Sequence, residues 1–325
     1  MIGAGEEGDR FDIAAARRLP ELSRTEVGRW IAAGIVRLDG RERPPGRRVR
    51  AGQHLAVDLP EGGPAPLGRP PGESDPIEAE PVPLEVLHEE PEFVVLNKAA
   101  GLVVHPGPGH PGGTVANGLL HRYPEMARVG PPGRPGLVHR LDRGTSGVLL
   151  AARTEAVRLR LAAGFARREV KKRYLALVLG TLRARQRILA PIGRDPQYRR
   201  RFRCRGRNAR AAESEVEPIE HLPLATLAAV RLVTGRTHQA RVHLAGIGFP
   251  IAGDALYGPG APRRGGGIAG AALRRLLRHD RPALHAASIR LAHPRTGTPV
   301  AFEAPLPNDL RQALAALRRS GARSP

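Results

Sequence analysis

The chain has 325 residues and carries 52 lysines and arginines against 31 acidic residues, a formal net charge of +21. That length supports a large core and two domains, and a field of that sign draws phosphate-rich partners, nucleic acid first. One cysteine, Cys204, excludes an internal disulfide and every multi-cysteine zinc site, and no lysine follows a glycine, which excludes a Walker A phosphate loop. The opening "MIGAGEEGDRFD" has no apolar signal core, and no stretch approaches the length of a membrane span, so a soluble cytoplasmic protein is expected. Arginine supplies 49 of the 52 basic residues; the lysines are Lys98, Lys171 and Lys172, and each is a place where a compact ammonium is favoured over a guanidinium.

Residues 10–59 read as a small unit of helices and short strands. "LSRTEVGRWIAAG" offers Ser23 as N-cap with Glu26 three residues on, a capping box, and Gly34 as the stop. "IVRLDG" alternates and turns at Asp39-Gly40, and "HLAVDL" alternates again. Arg17, Arg18, Arg24 and Arg29 load the helical part with positive charge. The stretch resembles the S4 RNA-binding domain, which implies that these arginines contact RNA. Residues 60–83, "PEGGPAPLGRPPGESDPIEAEPVP", break helix and sheet alike and predict a semi-stiff linker.

From residue 84 to about 318, strands are expected at "FVVLNK", "GLVVHP", "GVLLAA", "RYLALVLG", "LATLAAVRLV" and "SIRLAHP". Helices are expected at "GTVANGLLHRYPEM", "EAVRLRLAAGFARRE", "RTHQARVHLAGIG", "AALRRLLRHD" and "LPNDLRQALAALRR", with "YGPGAPRRGGGIAG" as a glycine-rich loop. Strands are grouped rather than alternating with helices, which predicts an α+β domain with a mixed, mostly antiparallel sheet.

Several motifs compete for the chemistry. "GPGHPG", Gly107 to Gly112, fits G-x-G-x-x-G, the one feature that favours a nicotinamide-dependent enzyme, but two prolines occupy it and no βαβ unit follows; it reads as a surface loop. "DRGTSGV" offers Ser146 as a nucleophile with His139 as base, yet a nucleophile elbow needs glycine where Val148 stands. The histidines at 105/110, 139 and 238/243 match no recognised metal-ligand set and read as structural, so no metal is expected. In "HRLD", an extended backbone puts Arg140 and Asp142 on one side and Leu141 in the core, ahead of a tight "GTSG" turn. Asp142 is either a turn aspartate or an ionised carboxylate placed where a polyanion arrives. Tyr174 shares one face of "KKRYLALVLG" with Ala176 and Val178; base stacking and a core position suit it equally. A helix starting near Thr237 makes an anion site with Arg236, and Arg241 follows one turn in.

Taken together, "NKAAGLVVHPG", "HRLDRGTSG", "KKRYLALVLG", "TGRTHQARVHLAGIGFPIAGDALYG" and "LHAASIRLAHPRTG" resemble, in this order, the RluA-type pseudouridine synthases, with an S4 domain in front. The layout is most similar to the D branch that modifies large-subunit ribosomal RNA. Ala99 and Ala240 depart from the family's usual proline and larger aliphatic. The resemblance implies that the chain isomerises uridine in large-subunit ribosomal RNA, or in its precursor particle, as a monomer and without a cofactor. It implies that Asp142 is the reacting carboxylate, that Tyr174 lies against the uracil and helps remove the C5 proton, and that Arg241 pairs with Asp142. Arg140 then fills the gap left by a flipped uridine, and His139 and Arg236 join it in contacting RNA. The competing class is a non-catalytic RNA-binding ribosome assembly factor, which explains the charge but not the presence of Asp142, Tyr174 and Arg241 together.

Overall fold

The computed structural model describes residues 1–19, 24–58, 77–107, 109–131, 133–198, 200–258, 270–271, 273–274 and 281–322. The expected Ser23 cap, most of the Pro/Gly linker, most of the loop at 257–270 and most of the helix at 271–280 lie outside them, as do the side chains of Arg24, Glu26 and Arg29. The chain divides into two compact units, residues 1–76 with 131–133, and residues 77–130 with 134–325.

In the first unit, α1 (Phe11–Ala16) and α2 (Arg24–Ala32) precede a two-stranded antiparallel pair, β1 (Val36–Leu38) and β2 (Leu55–Val57). Phe11, Ala14, Ala15, Val27, Ile31, Val36, Leu38 and Val49 close a small core. Gly34, at φ 73°, ends the α2 region as its sequence predicts, and Asp39 and Gly40 both take positive φ to make the tight turn after β1. Two of the four arginines expected to face RNA make contacts within the unit: Arg17 Nη1 lies 2.7 Å from Asp9, and Arg18 Nη2 lies 2.5 Å from Glu6 and also donates to the Met1 carbonyl.

The second unit is built on a nine-stranded sheet. Its elements in chain order are β3 (Glu85–Glu89), β4 (Phe93–Lys98), α3 (Val115–Arg122), β5 (Ser146–Ala152), α4 (Glu155–Ala166), β6 (Lys171–Leu179), β7 (Gln186–Leu189), β8 (Ile192–Arg194), β9 (Phe202–Cys204), β10 (Arg207–Arg210), β11 (Glu213–Leu222), β12 (Ala225–Leu232), α5 (Gln239–Gly246), β13 (Leu284–Ala292), β14 (Pro299–Glu303) and α6 (Asn308–Gly321). The strand order is β3-β4-β5-β13-β6-β12-β11-β7, with β14 beside β13, while β10-β8-β9 form a separate three-stranded sheet. Among the described residues only β5 and β13 run parallel, and every other strand pairing is antiparallel. The mixed, mostly antiparallel α+β architecture expected from the grouped strands is therefore present.

β5 is buried at all seven residues because both faces of the sheet are covered. Leu149 and Ala151 point into the larger core, with Leu119 of α3, Leu244 of α5 and Leu310, Leu314 and Leu317 of α6. Val148, Leu150 and Ala152 point the other way, against Val157 and Leu161 of α4. One row of paired residues crosses five neighbouring strands: Lys98, Gly147, Ala286, Tyr174 and Val230. Gly147 sits in it at φ 114°, where an added Cβ would lie 2.2 Å from the Ala286 carbonyl oxygen, so β5 and β13 approach closely only because no side chain intervenes.

Two expectations change. "GLVVHP" forms no strand: Gly101 turns at φ 89°, and the Val103 and Val104 carbonyls accept the first free amides of α3, from Val115 and Ala116. The end of the expected linker is also anchored, since the Glu78 carbonyl accepts from Asn117 Nδ2 and the Glu80 carboxylate from the Gly113 amide. Asn117 is the third residue of α3, whose N-cap is Thr114, so the helix start itself supplies the anchor.

Candidate active site

A cleft of about 440 Å³ opens at Tyr174 of that row and is lined from three sides: Val138–Asp142 leading into β5, Lys172 and Tyr174 of β6, and Thr234–Arg241 at the start of α5. In the first segment the predicted alternation holds. Leu141 is buried, Arg140 is exposed at the cleft, and Asp142 is partly exposed with its carbonyl accepting the Thr145 amide at 3.0 Å to close the turn.

His139 serves the fold. Its Nε2 accepts the Leu150 amide at 2.8 Å, and its ring stacks on Phe165 with centroids 4.8 Å apart. Burial, with the Lys172 charge adding to it, pushes its pKa down to about 3, so the imidazole is neutral and offers no charge to a phosphate. An unfolded histidine titrates near 6.5, so stability present above that pH is lost as pH falls toward 3. His139→Gln keeps an acceptor for the Leu150 amide without a titrating ring. Urea unfolding between pH 7 and pH 5 is expected to cost the variant about 2 kcal/mol less than the parent chain; equal losses would show that His139 is not held neutral.

Two donors face the Asp142 carboxylate without touching it. Arg241 Nη1 stands 3.5 Å from Oδ2 and His238 Nε2 stands 3.9 Å from Oδ1. Among the described residues neither oxygen accepts a hydrogen bond, so the group has a cation beside it while its lone pairs stay open. The guanidinium of Arg241 is instead bound bidentately by Asp254, Nε to Oδ2 at 2.7 Å and Nη2 to Oδ1 at 2.8 Å, and it lies 4.9 Å from the centre of the Tyr257 ring. Burial disfavours the charged guanidinium, but the hydrogen bonds and charge of Asp254, with the charge of Asp142, hold its pKa above the ordinary value. The resemblance implied an Arg241–Asp142 pair; the closer partner is Asp254.

His238 precedes α5 with φ 57°, a left-handed conformation that turns its ring into the cleft. Its Nδ1 lies 2.8 Å from the Tyr257 hydroxyl, which already accepts the Phe202 amide at 3.0 Å. The Tyr257 hydroxyl can donate to Nδ1 or accept from it, and in the tautomer where it donates, the imidazole proton sits on Nε2, on the Asp142 side. Burial lowers the pKa of His238. Reading this histidine as merely structural missed its place.

Tyr174 is 7% exposed and lines the cleft. Burial, followed by the Asp142 charge, raises its pKa, so the phenol is protonated. Arg236 lines the cleft, with its Nε donating to the Ala211 carbonyl at 3.1 Å and its amide to Gln239 Oε1, so these two donors are spent within the turn before α5. Beneath the cleft, Lys98 is buried and its Nζ donates to the Ala99 and Leu102 carbonyls at 2.8 Å and to the Arg143 carbonyl at 3.3 Å. Burial pushes its pKa down to about 7 against the pull of Asp142, while three acceptors match the three protons of an ammonium. Lys98 thus ties the loop after β4 to the residue that follows Asp142.

The other motifs resolve as structure. Ser146 Oγ pairs not with His139 but with His285 Nδ1 at 2.9 Å, inside the core, where no substrate reaches. Among the described residues, no group of three or more His, Cys, Asp or Glu side chains could hold a metal ion, and no helix is long and apolar enough to cross a membrane. Sequence reasoning passed over Asp254 and Tyr257, read His238 as structural, and marked Lys98 only as a place for an ammonium. The first two stand three residues apart in "GDALYG", and Lys98 is one of only three lysines.

Residues 92–246 match the family model described as RNA pseudouridylate synthase. The chain is 38% identical over 320 residues to "Ribosomal large subunit pseudouridine synthase D" of Xanthomonas campestris pv. campestris, covering 98% of this chain and 91% of the relative. It is 35% identical over 318 residues to the protein of the same name from Escherichia coli (strain K12), covering 98% and 93%. Among solved structures it is similar to "Human RNA Pseudouridylate Synthase Domain Containing 4", with a TM-score of 0.58 and 27% identity over 72% of this chain and 93% of that one. "Human RNA Pseudouridylate Synthase Domain Containing 1" is similar at a TM-score of 0.53 and 26% identity, over 74% and 96%.

Proposed function

Since the chain belongs to the RNA pseudouridylate synthase family, of RluA type, we propose that it isomerises specific uridines of large-subunit ribosomal RNA to pseudouridine, with Asp142 as the reacting carboxylate. The reaction breaks the N1–C1′ bond, turns the uracil, joins C5 to C1′ and releases the C5 proton, while the freed N1 takes up a proton. Nothing is gained or lost overall, so no cofactor is required. What it needs is a charged carboxylate beside the ribose and uracil that can attack, balance positive charge or take a proton.

The observation that carries this reading is the Asp142 carboxylate, open on both oxygens, with Arg241 Nη1 at 3.5 Å and Tyr174 in the same cleft. Arg241 sets a positive charge beside Asp142. Tyr174 meets the flipped uracil as a protonated phenol, offering a ring face and an O–H rather than a phenolate base. Arg140, exposed at the cleft, takes the place of the extruded base and offsets part of the few kcal/mol of unstacking. A binding protein with an idle fold has no use for a carboxylate left open beside a guanidinium, so the assembly-factor reading is not favoured.

The chain acts as a monomer in the cytoplasm, on free RNA or a precursor particle. Its first unit, similar to an S4 domain in sequence pattern, adds RNA affinity. The test is release of tritium from C5-labelled uridine in large-subunit, small-subunit and transfer RNA. Release from the large-subunit RNA alone is expected, and release from none would remove the proposal. Deleting residues 1–60 is expected to weaken RNA binding and flatten its salt dependence, because phosphate contacts are lost, while turnover at saturating RNA persists. A truncated chain inert at saturation would end that division of labour.

A further inference from the structure

We propose that Asp254 is a positioning residue of the isomerisation: by occupying the bidentate edge of Arg241, it leaves Asp142 beside a cation that does not hydrogen-bond it. This rests on the reading of Asp142 as the reacting group. Asp254 lies beyond residues 92–246, where the family model matches.

A guanidinium offers a carboxylate two parallel donors along one edge, and a carboxylate so bound is a poorer nucleophile and base. Arg241 has two carboxylates within 3.5 Å and satisfies only one of them in that way. The choice is fixed by Asp254, whose side chain is 0% exposed. Its Oδ1 accepts the Leu256 and Tyr257 amides at 3.0 and 3.1 Å in addition to Arg241 Nη2, and its Oδ2 accepts from Nε. Asp254 is therefore anchored to backbone, and Arg241 is anchored to Asp254. The Tyr257 ring packs against the guanidinium. Only Nη1 is left toward Asp142, at a distance that supplies field without a hydrogen bond.

Asp254→Asn tests this on tritiated large-subunit RNA under single-turnover conditions, across pH. The amide oxygen, in the Oδ1 place, still accepts the two backbone amides and Arg241 Nη2, but the NH2 in the Oδ2 place meets the Nε–H donor to donor, so the two-point grip is lost and Arg241 is free to turn toward Asp142. The expected single-turnover rate falls about 10- to 100-fold, in the range of lost orienting partners elsewhere, and RNA affinity is unchanged. The acid limb of the pH–rate profile is expected to move down by about one unit as Asp142 becomes harder to protonate. A merely structural role lowers the rate at every pH without moving that limb. In an Arg241→Lys background, adding Asp254→Asn is expected to change the rate by less than about twofold, since the two residues act as one. An unmoved acid limb, or losses that multiply in the double variant, overturns the proposal. If the Asn chain does not fold, Asp254→Ser gives the same comparison, because its hydroxyl accepts a backbone amide and leaves room for water beside Arg241. Asp142→Asn is measured alongside: activity there sinks the assignment of Asp142 itself, whereas an inactive Asp142→Asn with a silent Asp254→Asn sinks only the positioning role.

Discussion

Asp142→Asn is expected to lower pseudouridine formation by a factor on the order of 10⁴ or more, the scale on which removal of a reacting nucleophile registers. The amide has the shape of the carboxylate but neither its charge nor its nucleophilic oxygen, so it cannot attack, balance a sugar cation or accept a proton. Binding should hardly change. Affinity for RNA comes chiefly from phosphate contacts made by many basic side chains, so the dissociation constant is expected to stay within about threefold. The backbone is also spared, because the turn uses the Asp142 carbonyl, not its side chain, to accept the Thr145 amide. Tritium release and filter binding on the same RNA separate the two effects. Turnover within tenfold of the parent chain would mean that the chemistry resides elsewhere.

Arg241→Leu is expected to cost stability as well as activity. It leaves the Asp254 carboxylate, wholly buried, without its cation, and breaking a buried pair from one side costs about 3–5 kcal/mol. The orphaned carboxyl then has a raised pKa in the folded state. The fold binds its proton more tightly than the unfolded chain does, so the variant's deficit should grow as pH rises through that window and shrink toward acid. Adding Asp254→Asn to Arg241→Leu removes the unpaired charge and should restore much of the stability without restoring activity. Unfolding by urea at pH 5 and pH 8 reports the first effect and tritium release the second. A melting profile for Arg241→Leu within about 1 kcal/mol of the parent would show the buried pair to be of no structural weight.

How much of this was legible in the sequence depended on the range over which each residue finds its partners. β4, β5, β6 and β12 were readable because alternation or an unbroken apolar run reports a strand buried on one or both faces. Arg140, Leu141 and Asp142 were readable for the same reason. "GLVVHP" carries the same apolar signature and is a loop, because α3 claims its carbonyls from outside the segment. β8, β9 and β10 went unread because arginines occupy much of Arg194–Arg210, so there is no apolar rhythm to detect. Arg17 and Arg18 looked free, but Asp9 and Glu6 fold back onto them. Asp254 shows most clearly where the reading stops. It is one loop aspartate among many until the chain, 13 residues after Arg241, brings it against the guanidinium. His238 needed its left-handed backbone and a tyrosine 19 residues away before its ring had a direction.

The three carbonyls gathered around Lys98 bear on the chain's composition. Almost every basic residue is arginine, yet a flat, forked cation cannot place three protons at the apex where Ala99, Leu102 and Arg143 converge, nor fit a side-chain slot that is 2% exposed. An arginine therefore meets a steric wall at this position. The wall stands directly behind the turn that presents Asp142.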